Sequence, residues 1–269
     1  MVYLDPEQAG EPALRIACEL ANRFKSEVIG VSAGLPVAPI HADGMIASSV
    51  LEVDYEQLNR AIESCETRFR SALKTSGCPL QWRSGVAYPA DFLAAEARAA
   101  DLLVVGRSEN YAPLGPHQSL DIGDAVMRAG RPVLVVPPRS TSLATNRMLV
   151  AWKDTAESRK AIVAALPLLR KAGELTVVEI VSDASERDAA AARVADVANW
   201  LQRHNVQASA RVELSAGDAG SQLDAIASEA RIDIIVAGAY GHTRLHEWIF
   251  GGVTRHLLQQ SSACALLTH

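Results

Sequence analysis

Two glycine clusters near the end of the chain have the residue types and spacing to do chemistry. Gly238-Ala-Tyr-Gly241 closes the apolar run Asp233-Ile-Ile-Val-Ala237, and Gly251-Gly-Val-Thr254 follows after nine intervening residues. A short apolar run of this kind reads as a buried parallel strand. In an open parallel sheet, ligands bind outside the carboxyl ends of the strands, where the strand order reverses. Glycine at that place lets backbone N–H groups approach an anion closely, and a following helix N-terminus adds a favourable dipole. Phosphate binding is the chemistry this pattern points to. Turn glycines with a close helix–sheet contact are the plain alternative.

Other constellations are weaker. Gly30-Val-Ser-Ala-Gly34 matches the Gly-x-Ser-x-Gly nucleophile elbow, which needs a strand, a strained turn and then at once a helix. Leu35-Pro-Val-Ala-Pro39 follows instead, and two prolines so close predict an extended segment. Ser32 is therefore read as a small residue ending a strand. His242 and His246, with Glu247 beside them, would share a helix face, but a zinc site needs a third ligand. They read as surface residues next to a ligand loop. Trp152, Trp200 and Trp248 read as packing residues. No Walker lysine motif, no Gly-x-Gly-x-x-Gly and no paired catalytic carboxylates occur, so nothing points to a turnover enzyme beyond a very slow ATPase.

The elements that must carry the glycines come in two copies. Asp101-Leu-Leu-Val-Val-Gly106 and Asp233-Ile-Ile-Val-Ala-Gly238 stand 132 residues apart, and Pro132-Val-Leu-Val-Val136 and Cys264-Ala-Leu-Leu-Thr268 repeat the same offset. Two such pairs at one offset mark an internal duplication. In the second copy Met148–Trp152 reads as a strand and Thr155 as the N-cap of a helix bearing Ile162, Leu166 and Leu169. Leu175–Val181 is the next strand. An alanine-rich helix over 185–204 carries Val194, Val197 and Leu201 on one stripe. Strands near 207–214 and 233–238, helices near 220–230 and 244–260, and a last strand Ala265–Thr268 complete the set.

The first copy has the same order, with a long second helix carrying Ile46, Val50, Tyr55, Leu58, Ile62, Cys65, Phe69 and Leu73 at helical spacing. Its first strand is only Val2–Leu4. Alternating strands and helices predict right-handed crossovers and a parallel sheet covered on both faces. The expected fold is therefore α/β: two tandem doubly wound domains, each a five-stranded parallel sheet. The first spans residues 1–137 and the second 147–269, joined by the proline- and hydroxyl-rich linker 138–146.

The spacing Gly238-x-x-Gly241, nine residues, then Gly251-Gly-Val-Thr254 resembles the nucleotide motif of the universal stress protein family. With the duplication, the chain looks like a tandem member. The resemblance implies that Gly238, Gly241, Gly251, Gly252, Val253 and Thr254 hold phosphates, with His242 at a position often basic. It implies that Lys153, Asp154 and Ile180 lie by the base and ribose. Gly252 stands where the family has Ser or Thr, and the carboxylate after the first strand comes one residue late, at Asp154. The implied cofactor is ATP, with or without Mg2+. In the first copy Gly106-Arg-Ser-Glu109 puts an acid where the second glycine belongs, and a carboxylate there repels phosphate. That half reads as structural.

Composition sets the outer bounds. Of 269 residues 49% are apolar and 21% charged, with 26 basic and 31 acidic side chains and a net charge of −5. A chain so composed buries a core, and its mild acidity is not the footprint of a nucleic-acid or anionic-membrane binder. No run of about 18 apolar residues is present to span a bilayer, and the first residues lack the basic-then-apolar pattern of a signal peptide. Cys18, Cys65, Cys78 and Cys264 show no Cys-x-x-Cys spacing, so free thiols in a reducing cytoplasm are expected. The final strand of each copy would be an exposed edge, which predicts pairing of the two copies within the chain, with a homodimer of whole chains as a further possibility. Two functions from different classes remain: a regulatory stress-response protein binding an adenine nucleotide in its second domain, or a ligand-free scaffold that docks partners. An esterase built on Ser32 is a distant third.

Overall fold

A computed structural model of the chain describes residues 1–8, 10–36, 48–108, 119–239 and 252–269. Two compact units divide it: Met1–Arg131 with Pro138–Ser142, and Pro132–Pro137 with Leu143–His269.

The first unit runs β1 (Val2–Tyr3), α1 (Glu11–Phe24), β2 (Val28–Gly34), α2 (Ser48–Leu73), β3 (Leu80–Val86), α3 (Pro89–Glu96), β4 (Leu103–Gly106) and α4 (Ile122–Arg128). Its strands lie in the order β3-β2-β1-β4, all parallel. Every residue of β2 is buried, as a strand covered on both faces must be. The stripe on α2 holds for Leu58, Ile62, Cys65, Phe69 and Leu73, all buried. Tyr55, which the periodicity also put in that stripe, is 45% exposed. Ile46 lies outside the described residues.

The second unit contains β5 (Val133–Val136), β6 (Arg147–Trp152), α5 (Ala156–Leu169), β7 (Glu174–Val181), α6 (Arg187–Arg203), β8 (Ser209–Leu214), α7 (Ala219–Glu229), β9 (Ile234–Gly238), α8 (Gly252–Gln259) and β10 (Cys264–Thr268). Five parallel strands stand in the order β10-β9-β6-β7-β8. The strand β5, which the sequence repeat assigns to the first copy, is counted with this unit. It runs antiparallel to β10, pairing Val133 with Leu267 and Val135 with Ala265. A four-residue apolar strand, buried throughout, is stable only with a ladder partner, and β10 supplies one.

Local signals set the helix boundaries of this unit. Thr155 Oγ1 accepts from Ser158 N–H at 3.3 Å, capping α5. Asp218 does the same for α7 through Ser221 N–H at 2.8 Å. On α6 the residues Ala190, Val194, Val197 and Leu201 are buried and form the expected stripe. The chain leaves β6 for β7 on one side and returns to β9 on the other, so the strand order reverses between β6 and β9. That is where a crevice at the carboxyl edge must lie.

Candidate functional site

The second unit brings four of the implicated segments to this edge. Lys153 and Asp154 follow β6 and are both exposed, and Asp154 is ion-paired with Arg159 in the first turns of α5. Ile180 is half-buried on β7. Gly238 ends β9. Gly252 opens α8 and is exposed, Val253 is half-buried, and Thr254 is buried. Gly241, His242, His246, Trp248 and Gly251 lie outside the described residues, as does the part of the helix near 244–260 that precedes Gly252.

Gly238 has a specific steric reason. A Cβ there would lie 2.5 Å from Ser158 N and 2.6 Å from the Glu157 carbonyl carbon. These are backbone atoms of the first turn of α5, so glycine at 238 allows the end of β9 and the start of α5 to touch. The close helix–sheet contact is therefore realised at this glycine. At Gly252 a Cβ would lie 3.2 Å from Asp218 Oδ1, and at Gly220 it would lie 2.6 Å from His256 Cβ. Both hold α7 and α8 close together.

Two buried polar atoms at this edge have no hydrogen-bond partner among the described residues: Trp152 Nε1 and Thr268 Oγ1. Thr268 pairs with Gly238 across the sheet, and Ala151 pairs with Ala237, so Trp152, Gly238 and Thr268 share one sheet face. An unsatisfied buried donor or hydroxyl costs about 1–3 kcal/mol, so each calls for an explanation. Glu157 adds a charge here. Its own backbone N–H at the start of α5 holds its carboxyl below the usual range against the opposing effect of burial, helped by the Thr155 hydroxyl, His269 and Lys160. On β7, Glu179 is buried and takes a two-pronged ion pair from Arg193 of α6, with contacts of 2.5–3.2 Å.

The corresponding edge of the first unit is built differently. Val2 pairs with Val104 and Val150 with Val236, and Val104 and Val236 are repeat equivalents, so Asp5 occupies the place of Lys153. Asp5 accepts Glu7 N–H at 2.9 Å and is hydrogen-bonded by Leu120 N–H and the Ser119 hydroxyl, just ahead of α4. Burial pushes its carboxyl up, while those three bonds and Arg68 pull the other way. Sequence reasoning passed over Asp5, although an acid directly after the first strand was there to be seen. Glu109 is outside the described residues.

Ser32 is completely buried within β2 and Gly30 accommodates aromatic rings: a Cβ at 30 would lie 2.6 Å from Trp82 and 2.9 Å from Phe69. No substrate reaches such a serine, and the nucleophile-elbow motif is a packing pattern. Trp152 is buried, as a packing residue should be, and Trp200 stacks on His204 with ring centroids 4.0 Å apart. Among the described residues no cluster of three or more His, Cys, Asp or Glu could hold a metal ion. No described helix is long and apolar enough to cross a membrane.

These features define an open, mostly parallel α/β sheet protein whose strand order reverses between β6 and β9. The model of the universal stress protein family matches residues 144–268. That match takes in nearly all of the second unit. A universal stress protein from Archaeoglobus fulgidus superposes over 99% of this chain and 95% of its own, with a TM-score of 0.74 at 13% identity. A candidate universal stress protein from Pseudomonas aeruginosa covers 99% and 91%, with a TM-score of 0.64 at 14% identity. At these identities the likeness is one of fold. No curated protein sequence matches.

Proposed function

We propose that the second unit binds an adenine nucleotide, ATP with or without Mg2+, at the edge between β6 and β9, and that binding is regulatory in a stress response. The observation that carries this reading is the pair of unpartnered buried polar atoms, Trp152 Nε1 and Thr268 Oγ1, on the sheet face of Gly238. The residues present fit an anionic, hydrogen-bonding group. Gly252, Val253 and Thr254 open a helix whose N-terminal N–H groups would face phosphate, with Gly241, His242 and Gly251 contributing from the residues ahead of it. Lys153, Asp154 and Ile180 would line the base and ribose. Gly238 acts through packing, keeping α5 against β9. ATP would bring a polyanion whose oxygens these donors would hydrogen-bond.

A second reading, a first unit that is structural and ligand-free, is favoured by Asp5. Its carboxylate already takes the Leu120 N–H and Ser119 hydroxyl ahead of α4. Thermal unfolding with and without ATP and magnesium tests the proposal. Ligand at about 100 times its dissociation constant adds roughly 2.7 kcal/mol to the stability of the state that binds it. A midpoint unmoved by millimolar ATP would reject nucleotide binding and leave the scaffold reading.

A further inference from the structure

Cys18 and Cys78 are 60 positions apart, yet they meet on the first unit. Cys18 lies on α1 and Cys78 in the connection from α2 to β3. Asn22, one turn after Cys18, holds both. Its Nδ2 donates to Cys18 Sγ at 3.7 Å, and Cys78 Sγ donates to its Oδ1 at 3.8 Å. Both thiols are half-buried and reachable from solvent, whereas Cys65 and Cys264 are buried. The Asn22 amide that bridges them is exposed to solvent. The segment carrying Cys78 has room to adjust. Gly77 sits at φ +67° with nothing within 4 Å of where a Cβ would be, and Cys78 N–H donates to Ser76 Oγ at a long 3.3 Å.

We propose that Cys18 and Cys78 form a reversible, redox-sensitive disulfide that ties α1 to the α2–β3 connection. A small-molecule disulfide such as oxidised glutathione is the electron acceptor. The Cys78 thiolate attacks one of its sulfurs, forming a mixed disulfide and releasing one glutathione thiolate, which takes up a proton. The Cys18 thiolate then attacks Cys78 Sγ, the second glutathione leaves as a thiol, and the protein S–S bond remains. Two protein thiols are oxidised and one external disulfide is reduced. Burial pushes the Cys18 thiol up, and the neighbouring Cys78 adds to this against the Asn22 bond, so the second step quickens as pH rises. This device is independent of nucleotide binding in the second unit.

The test treats the native full-length chain with oxidised glutathione, quenches with an alkylating agent under denaturing conditions, and counts thiols. The free-thiol count should fall from four to two, with no glutathione retained. Peptide mapping should find the Cys18 and Cys78 peptides joined within one chain, and dithiothreitol should restore all four thiols. In Cys18→Ser and in Cys78→Ser the remaining partner should instead keep glutathione as a stable adduct. Four thiols persisting in the treated wild type would overturn the proposal. So would a glutathione adduct accumulating on the wild type as it does on the single variants, or a disulfide joining two chains.

Discussion

The two carboxyl edges, one in each unit, are built from the same repeat and solve opposite problems. In the second unit the strand-ending glycine, Gly238, is pressed against the backbone of α5, the position after β6 is an exposed lysine, and two buried polar atoms have no partner among the described residues. In the first unit the matching Gly106 is in ordinary contact: a Cβ there would only approach Ala13 Cβ at 3.4 Å. The matching position after β1 is the half-buried carboxyl of Asp5, which binds donors of its own chain. Among the described residues one edge leaves two buried polar atoms unsatisfied, and the other bonds its acid within its own chain. A duplicated fold tolerates this because the sheet needs only its strands and helix stripes, and the loops at the edge vary without touching the core.

The sharpest way to break this comparison is Gly241→Glu, which copies into the second unit the acid found at Glu109. A unit charge about 4 Å from one phosphate charge costs on the order of 4 kcal/mol at an effective dielectric of about 20. Calorimetric titration with ATP should then show affinity reduced about a thousandfold. Undiminished binding would put the site elsewhere.

Next in size is the steric contrast between the two glycines. Gly238→Ala forces a methyl group into the first turn of α5 and should destabilise by about 1–3 kcal/mol, the usual cost of overpacking. Gly106→Ala should be neutral or gain up to about 1 kcal/mol through reduced freedom of the unfolded chain. Urea unfolding of the two variants measures both, and equal costs would erase the distinction.

A smaller effect separates the edges by pH. Asp5 is raised in the folded state, so its protonated form is favoured there. Its contribution is present at low pH and is lost as pH rises from the ordinary carboxylate range through its folded value. Glu157 is lowered, so its contribution is present above the ordinary range and is lost as pH falls through the folded value. Compared with wild type, Asp5→Asn should gain relative stability as pH rises, and Glu157→Gln should lose it. The Glu157 change should amount to about 0.3–1 kcal/mol, the usual worth of a carboxylate at a helix N-terminus. Unfolding free energies across a pH series decide this, and parallel slopes for both variants would contradict it. The smallest expected effect is that of Glu109→Gly. Because Asp5 still occupies the donors ahead of α4, ATP stoichiometry should stay at one per chain, and a second site appearing would show that Glu109 alone had closed the first unit.

The periodic pattern of the sequence was enough to place the strands of the second unit within two residues of their observed ends, to pick Thr155 as a helix cap and to find the α6 stripe Val194, Val197 and Leu201. These depend on hydrogen bonds and side-chain directions that repeat over two to four residues, so the chain carries them locally. The duplication was equally legible, because it is a comparison of the chain with itself. Tertiary structure alone decided the rest. It set Gly238 against Ser158, gave Asp5 its partners 115 positions away at Leu120, paired Val133–Val136 with β10, and brought Cys18 and Cys78 to one asparagine. Each of these contacts joins residues distant in sequence, and no local period records which distant residue will be met, because that is fixed only when the helices pack onto the sheet.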